Sequence, residues 1–123
     1  MLALLLYSII CLTHTFKDIY KITPKIVTAE IDFYTTDVIF ENVTIIGDEA
    51  FFSRDQLKSI LFSSSIESIK TRAFFNCKNL ENISFKEESS LTTIGDSAFE
   101  QCYELKSISI PSSVKSIGTW GIC

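Results

Sequence analysis

Apolar residues recur at fixed distances through the second half of this chain of 123 residues. The clearest unit runs from Ile94 to Ser116 and contains, in order, an isoleucine, an Ala-Phe pair, a cysteine, a leucine and two alternating isoleucines. Matching units begin at Ile46 and Ile69 and a partial one begins at Ile117, so that successive starts lie 23, 25 and 23 residues apart. A nearly constant period of this size predicts a solenoid, in which each repeat forms one coil of a stack.

The leucine and the two alternating apolar residues of each unit predict a short strand. In the first unit these are Leu57, Ile60 and Phe62, and their spacing turns the last two side chains inward and their neighbours outward. A serine-rich turn follows the strand. In the last full unit the strand ends at Pro111, which has no backbone N–H, so we expect a position where the sheet does not need that donor.

The Ala-Phe step of each unit predicts a helical turn. Ile69, Ala73 and Cys77 are spaced by four residues, which places them on one face of a short helix or 3₁₀ turn. Asp48 and Asp96 precede this step in two of the units. Each is predicted to be an N-cap that accepts hydrogen bonds from the free N–H groups of the helical turn.

The residues before the repeats show a different pattern. Alternation from Val27 to Phe33 predicts a half-buried strand, and the apolar residues between Val38 and Ile45 suggest a second extended segment. The open end of a solenoid exposes apolar surface unless a terminal element covers it. We therefore predict that residues 16–42 form an N-terminal extension and β cap, and that residues 43–123 hold about three full repeats and a truncated one.

Residues 1–15 are predicted to be a signal peptide. The first twelve residues are apolar with one exception, and no charged side chain occurs before Lys17. This stretch is shorter than the about 20 apolar residues that span a bilayer, and it has the length of a signal-peptide core with a cut near Phe16. The usual positively charged start is missing, so a buried N-terminal strand and a wrongly assigned start are the alternatives.

Charge and residue content narrow the chemistry. The chain has a net charge of −4 and no basic run, which disfavours a nucleic acid or an anionic membrane as partner. The sequence after residue 15 contains no second hydrophobic segment, so we do not expect the mature chain to insert into a membrane. The one histidine, His14, falls within the predicted signal peptide, which leaves no imidazole for a catalytic triad or a zinc site. We expect no enzymatic activity, no cofactor and no bound metal.

At residues 94–118 the sequence Ile-Gly-Asp-x-Ala-Phe-x-x-Cys-x-x-Leu-x-x-Ile-x-Ile-Pro-x-Ser-Val-x-x-Ile-Gly resembles the BspA-like, or treponemal-type, leucine-rich repeat. The resemblance covers about residues 43–123. It implies a right-handed α/β solenoid with a short-stranded parallel sheet on the concave side and short helical or 3₁₀ turns on the convex side. Proteins with this repeat are typically secreted or surface proteins that bind host proteins or other cells, which implies a role in recognition or adhesion.

Two features depart from the repeat pattern. Arg54 stands where the later units have a cysteine, and Thr119 to Ile122 replace the Asp-x-Ala-Phe step of the last copy before Cys123. This end has no recognisable cap. We expect the chain to be a fragment of a longer repeat protein; the alternative is that Trp120 and Ile122 fold over the end.

Cys77 and Cys102 occupy the same place in consecutive units and are predicted to be free, buried thiols. Stacked helical turns lie about 8 to 10 Å apart, whereas a disulfide needs Cα atoms within about 7 Å. A disulfide between them is the alternative in a secreted chain. Cys123 is expected to be the free, reactive thiol.

The outward residues of the predicted strands form the candidate binding surface. Short polar side chains in register would offer hydrogen-bond donors and acceptors to an extended extracellular protein or glycan at little entropic cost. The candidates are Ser59, Leu61, Ser63, Asn82, Ser84, Lys86, Ser107 and Ser109. The alternatives are a solvated face without a ligand, a structural spacer, and a truncated fragment with no independent activity.

Two Asn-x-Ser/Thr sequons, at Asn42 and Asn82, predict N-glycosylation if the chain enters a eukaryotic secretory pathway. Asn82 is expected on the concave face, where a glycan would obstruct a ligand. Unused chance matches are the alternative for both.

Overall fold

The computed structural model describes residues 12–122 and forms a parallel β-solenoid of five coils. The first sheet, called the long-strand sheet, contains in spatial order β1 (Thr13–Lys17), β3 (Asp37–Glu41), β5 (Ser59–Phe62) and β7 (Asn82–Phe85). The second, the short-strand sheet, contains β2 (Lys21–Ile22), β4 (Ile45–Ile46), β6 (Ser68–Ile69), β8 (Thr93–Ile94) and β9 (Ser116–Ile117). The predicted solenoid with a short-stranded parallel sheet is confirmed.

Stacked phenylalanine rings fill the core. Each strand of the long-strand sheet turns one Phe inward, and the strands pair so that equivalent rings lie above one another. Ring centroids lie 5.6, 5.0 and 5.1 Å apart along the column formed by Phe16, Phe40, Phe62 and Phe85. A second column, formed by Phe51, Phe74 and Phe99, has spacings of 5.0 and 5.3 Å. The two columns meet edge to face, a favourable aromatic geometry.

Turns take the place of the predicted helices in the Ala-Phe segments. Glu49 and Ser53 each have a φ of 57°, in the left-handed region, and the equivalent residues of the later coils share this conformation. A left-handed residue interrupts a right-handed helix, so two of them within five residues prevent a helical run. The predicted short helix or 3₁₀ turn is therefore only loosely supported in these coils, where single turns are closed by bonds such as that from the Ala50 N–H to the Gly47 carbonyl at 3.2 Å.

The same segments are joined from coil to coil by backbone hydrogen bonds. Alternate residues donate their N–H to the carbonyl of the next coil, at distances of 2.7 Å (Phe51 to Ala73), 2.8 Å (Phe74 to Ala98) and 3.1 Å (Phe99 to Gly121). Because these segments contain no helix, Asp48 and Asp96 have none to cap. Asp96 instead accepts a hydrogen bond from the Thr119 N–H of the next coil, at 2.9 Å.

The N-terminal region differs most from the prediction. The expected strand over 27–33 is wrong, because Pro24–Glu30 form the helix α1. Thr23 accepts a hydrogen bond from the Ile26 N–H at 3.3 Å and caps the helix, while Pro24 has its φ fixed at a helical value. The Thr-Pro start signal thus prevails over the alternating pattern that follows it.

Residues 16–42 contain coils in place of the predicted β cap. β1 pairs with β3 along its whole length, from Thr13 against Asp37 to Lys17 against Glu41. Phe16 is fully buried in the first Phe column. Coil structure therefore begins well before residue 43.

The signal peptide stays a prediction, since residues 1–11 lie outside the described part of the chain. A cut near Phe16 would remove Thr13 to Thr15 from β1 and leave Phe16 in the core. The structure from Thr13 onward thus agrees in part with the alternative of a buried N-terminal strand. No helix among residues 12–122 has the length and hydrophobicity needed to cross a bilayer.

Cys77 and Cys102 are buried and free, as predicted. Each thiol donates to a carbonyl of the preceding coil, Cys77 to Phe51 at 3.1 Å and Cys102 to Phe74 at 3.2 Å. The neighbouring Cys102 thiol, followed by burial, raises the pKa of Cys77. The predicted reactive thiol, Cys123, lies outside the described residues.

Candidate binding surface

The outward face of the long-strand sheet is built by the residues that alternate with the buried core residues of β1, β3, β5 and β7. Parallel pairing without a register shift lines these side chains up in rows across the coils. The face comprises Thr13, Thr15, Lys17, Asp37, Ile39, Glu41, Ser59, Leu61, Asn82 and Ser84.

Its rows differ in chemistry. The central row contains Ile39 and Leu61, both half-buried, between a threonine and a serine. In the row beside it, the Ser59 hydroxyl donates to the Asp37 carboxylate at 2.6 Å, which fixes both side chains. The face therefore offers a small apolar centre with a preorganised polar group next to it.

The structure brings together four of the predicted residues in the expected register. Ser59 lies opposite Asn82, and Leu61 lies opposite Ser84. Asn82 and Ser84 are exposed, whereas Ser59 and Leu61 are half-buried. These four residues form part of the outward face, and their role in binding stays a prediction.

Ser63 and Lys86 lie just beyond the strand ends. The Ser63 hydroxyl is 2.9 Å from that of Ser65 and accepts the Asn42 N–H at 3.3 Å, so it belongs to the turn. Lys86 is exposed, and its N–H donates to the Phe62 carbonyl at 3.0 Å.

Ser107 and Ser109 are not brought into the predicted rows. The long-strand sheet ends at β7, and among residues 12–122 no backbone hydrogen bond joins β7 to the segment 106–110. A cavity of about 460 Å³ separates them. It is lined by Glu81, Asn82, Ile83, Glu104, Lys106, Ser107 and Ser109.

Pro111 lies where the long-strand sheet does not continue, which agrees with the expectation that no backbone donor is needed there, and its position helps to explain the opening. The equivalent residues of the two preceding coils use their N–H groups in the sheet: Ser63 donates to Phe40 at 3.1 Å and Lys86 donates to Phe62. Pro111 has no N–H and makes no such bond to the carbonyl of Phe85.

Side chains change at the same boundary. Ile110 stands where the first column would have its next phenylalanine, and Phe85 is only half-buried as a result. A series of side-chain amide hydrogen bonds also ends at this boundary. The amides of Gln56 and Asn79 each donate to a backbone carbonyl of the preceding coil, at 3.2 and 2.7 Å. The next equivalent residue, Glu104, has a carboxylate that cannot donate when ionised.

Sequence reasoning missed the part of the face that β1 and β3 contribute. The signal was present, because His14-x-Phe16 and Val38-x-Phe40 have the spacing of Ile60-x-Phe62. It was weak because a histidine breaks the apolar pattern in the first copy. That histidine bonds through Nε2 to the Glu30 carboxylate of α1 at 3.0 Å, and its ring packs edge-on against Phe16.

The two sequon asparagines have different surroundings. The Asn42 side-chain amide donates to the Asp18 carboxylate at 2.9 Å, so a glycan on that nitrogen would disturb the contact. Asn82 is exposed on the outward face. Whether either is glycosylated stays a prediction. Among the described residues, no group of three or more His, Cys, Asp or Glu side chains is placed to hold a metal ion.

The comparisons with known proteins identify the repeat. No curated protein sequence and no solved structure is significantly similar to the chain. The family model described as "BspA type Leucine rich repeat region (6 copies)" matches residues 32–121, most of the chain. This repeat type is associated with protein binding or adhesion. With its parallel coils and repeated Phe and Cys positions, the chain belongs to the family of BspA-type leucine-rich-repeat proteins.

Proposed function

We propose that this chain is a secreted or cell-surface recognition module that binds an extracellular protein or glycan and so supports adhesion to host or neighbouring cells. The observation that carries the proposal is the outward face of the long-strand sheet. It places Ile39 and Leu61 side by side on a hydrogen-bonded framework, next to the Ser59–Asp37 pair. An apolar centre with a polar surround is the usual anatomy of a protein-binding surface.

The rigidity of the face favours affinity. Its side chains project from paired strands whose other side is the stacked Phe core, so little backbone order is lost when a ligand binds. The proposed role requires no catalysis, cofactor or metal.

A binding screen tests the proposal directly. The purified chain is immobilised and presented with a panel of extracellular-matrix proteins and glycans, and each bound ligand is tested again with the variants Leu61→Asp and Ser84→Asp. We expect both variants to weaken binding at least tenfold, since each introduces a charge at the contact centre. Ser116→Asp, on β9 of the short-strand sheet, is the matched control and should leave binding unchanged. Equal binding by all variants would show that the ligand binds elsewhere on the chain, and binding of no ligand in the panel would favour the structural spacer.

Secretion is tested separately. The chain is expressed with its natural N-terminus in eukaryotic and bacterial secretion hosts, and the protein in the medium is sequenced from its N-terminus. We expect a new terminus near Phe16. Retention of the uncleaved chain inside the cell contradicts the secreted location.

A further inference from the structure

A cleft follows the free edge of β7, and we call it the β7 cleft. One wall is β7 with the residues beside it, and the other is the segment 104–113. The cavity of about 460 Å³ lies along the start of the strand, and another of about 280 Å³ lies along its end, where Phe85 and Lys86 face Ser109 to Ser113. The opening thus extends along the whole strand.

Unpaired backbone groups line the cleft. In a parallel sheet, alternate residues direct both N–H and C=O to the same neighbouring strand. Asn82 and Lys86 donate toward β5, so the carbonyls of Ile83 and Phe85 are directed to the other side. The carbonyl of Glu81 is equivalent to that of Lys58, which accepts N–H groups from the next coil. Within residues 12–122 these three carbonyls accept no backbone hydrogen bond. The edge of β7 is therefore available to pair with another strand.

The coil beyond the cleft is held in place elsewhere. β9 pairs with β8, and Ser97 and Phe99 donate their N–H groups to the carbonyls of Thr119 and Gly121 at 2.9 and 3.1 Å. The segment 106–110 can therefore stand apart from β7 while its own coil remains attached to the stack. The opening is a local feature of the long-strand sheet.

We propose that the β7 cleft binds an extended, basic peptide segment of a partner protein, which enters as a further parallel strand beside β7. Strand addition of this kind takes its affinity from main-chain hydrogen bonds and its specificity from alternate side-chain positions. The site borders the outward face at Asn82, and the proposal does not depend on the function proposed for that face.

The net negative charge of the residues that line the cleft favours a basic peptide. Four carboxylates and two ammonium groups line the cleft: Glu81, Glu87, Glu88, Glu104, Lys86 and Lys106. The chain itself shows a compatible strand, since β5 places Lys58 beside Glu81, whose N–H donates to the Lys58 carbonyl at 2.8 Å. A strand like β5 with a lysine at that register would lie beside Glu81, with Glu104 and Lys106 in the opposite wall of the cleft.

A synthetic peptide with the sequence of residues 56–64, labelled with a fluorophore, is the probe. Its binding to the whole chain is measured by fluorescence anisotropy, and the control is the same peptide with Lys58→Glu. We expect the control peptide to bind about tenfold more weakly, with a difference that shrinks as salt is added. Equal binding of the two peptides, or binding of neither, overturns the proposal.

Closing the cleft provides the second test. The double variant Ile110→Phe and Pro111→Ser restores the missing ring and the missing N–H, and it should lower peptide affinity at least tenfold while thermal melting shows a folded protein. Ile39→Arg, two strands away on the outward face, should leave peptide affinity unchanged. Full binding by the double variant overturns the proposal. So does concentration-dependent dimerisation that the double variant abolishes, because the occupant would then be a second copy of the chain.

Discussion

The two sheets of the solenoid differ at their last coil. The short-strand sheet continues through β8 to β9, whereas the long-strand sheet ends at β7 although the chain supplies another apolar segment at the right distance. The last coil is therefore hydrogen-bonded to the preceding coil in the short-strand sheet and is not paired with it in the long-strand sheet. Repeat spacing fixes where a coil lies along the stack, but local donors and side chains decide whether each of its segments pairs.

The residues at the two edges account for the difference. Ser116 and Gly118 donate N–H groups to Thr92 and Ile94, at 3.2 and 2.8 Å, and so continue the short-strand sheet. In the long-strand sheet, Pro111 removes one donor and Ile110 ends the Phe column. Each loss is small beside the total stability of a domain, and together they are enough to leave a short edge strand unpaired.

The largest expected effect comes from the closed part of the long-strand sheet. Phe62→Ala removes a ring that stacks at 5.0 Å on Phe40 and 5.1 Å on Phe85, and it should lower the free energy of unfolding by about 3–5 kcal/mol in urea titrations. Ile110→Ala, on the open side, should cost less than about 1 kcal/mol because its side chain is already partly exposed. Similar losses in the two variants would show that both segments are equally packed.

A smaller effect is expected where the coils approach most closely. A Cβ added at Gly95 would lie 2.7 Å from the backbone atoms Lys70 C and Thr71 N, so Gly95→Ala should cost about 1–3 kcal/mol. This glycine is used for close approach, because its φ is not positive. Lys70→Ala, at the equivalent exposed position of the preceding coil, should change stability by less than about 0.5 kcal/mol. Thermal or urea melts that rank the two variants in the opposite order contradict the close approach.

The side-chain amide series offers a finer comparison. Asn79→Ala removes the 2.7 Å bond to the Asp55 carbonyl and should cost about 1 kcal/mol. Glu104→Ala removes no such bond and should be nearly neutral, while Glu104→Gln should gain a few tenths of a kcal/mol by supplying the missing donor. If Glu104→Ala lowered the free energy of unfolding as much as Asn79→Ala does, the series of side-chain hydrogen bonds between coils would continue beyond Asn79.

The smallest effect is a dependence of stability on alkaline pH. The neighbouring Cys102 thiol and burial raise the pKa of Cys77, so the folded chain holds this proton to a higher pH than the unfolded chain does, whereas the Cys77 thiol lowers the pKa of Cys102. The contribution of Cys77 to stability is then complete below the unfolded thiol pKa of about 8.5 and is lost as pH rises through the higher folded value. Unfolding free energies measured between about pH 8 and 10 should fall more steeply for the wild type than for Cys77→Ala. Parallel curves would contradict the raised pKa.

Much of the solenoid could be predicted because the Phe, Ala and Cys positions repeat in the sequence. The paired registers of Ser59 with Asn82 and of Leu61 with Ser84 followed directly from that repeat. The short-strand sheet could not be predicted as a sheet, because strands of two residues show no alternation. The left-handed residues of the turns also left no signal, since they are not glycines.

The candidate site was predictable only in its middle. α1 was missed because the alternation from Val27 to Phe33 concealed the Thr-Pro start signal. The extent of the face toward β1 was missed because His14 interrupts the apolar pattern. At the other end, Ser107 and Ser109 match the repeat, and only the contacts of the residues after them determine that their segment stands apart from β7.

Native-state hydrogen exchange followed by NMR tests the difference between the two sheets most directly. Asn82 donates its N–H to the Lys58 carbonyl, and Gly118 donates its N–H to the Ile94 carbonyl, so both amides should be protected. The amides of Ser107 and Ser109 should exchange close to the rate of an unstructured peptide. Protection of Ser107 and Ser109 equal to that of Asn82 would show that the long-strand sheet continues into the last coil, and would contradict the open edge of β7.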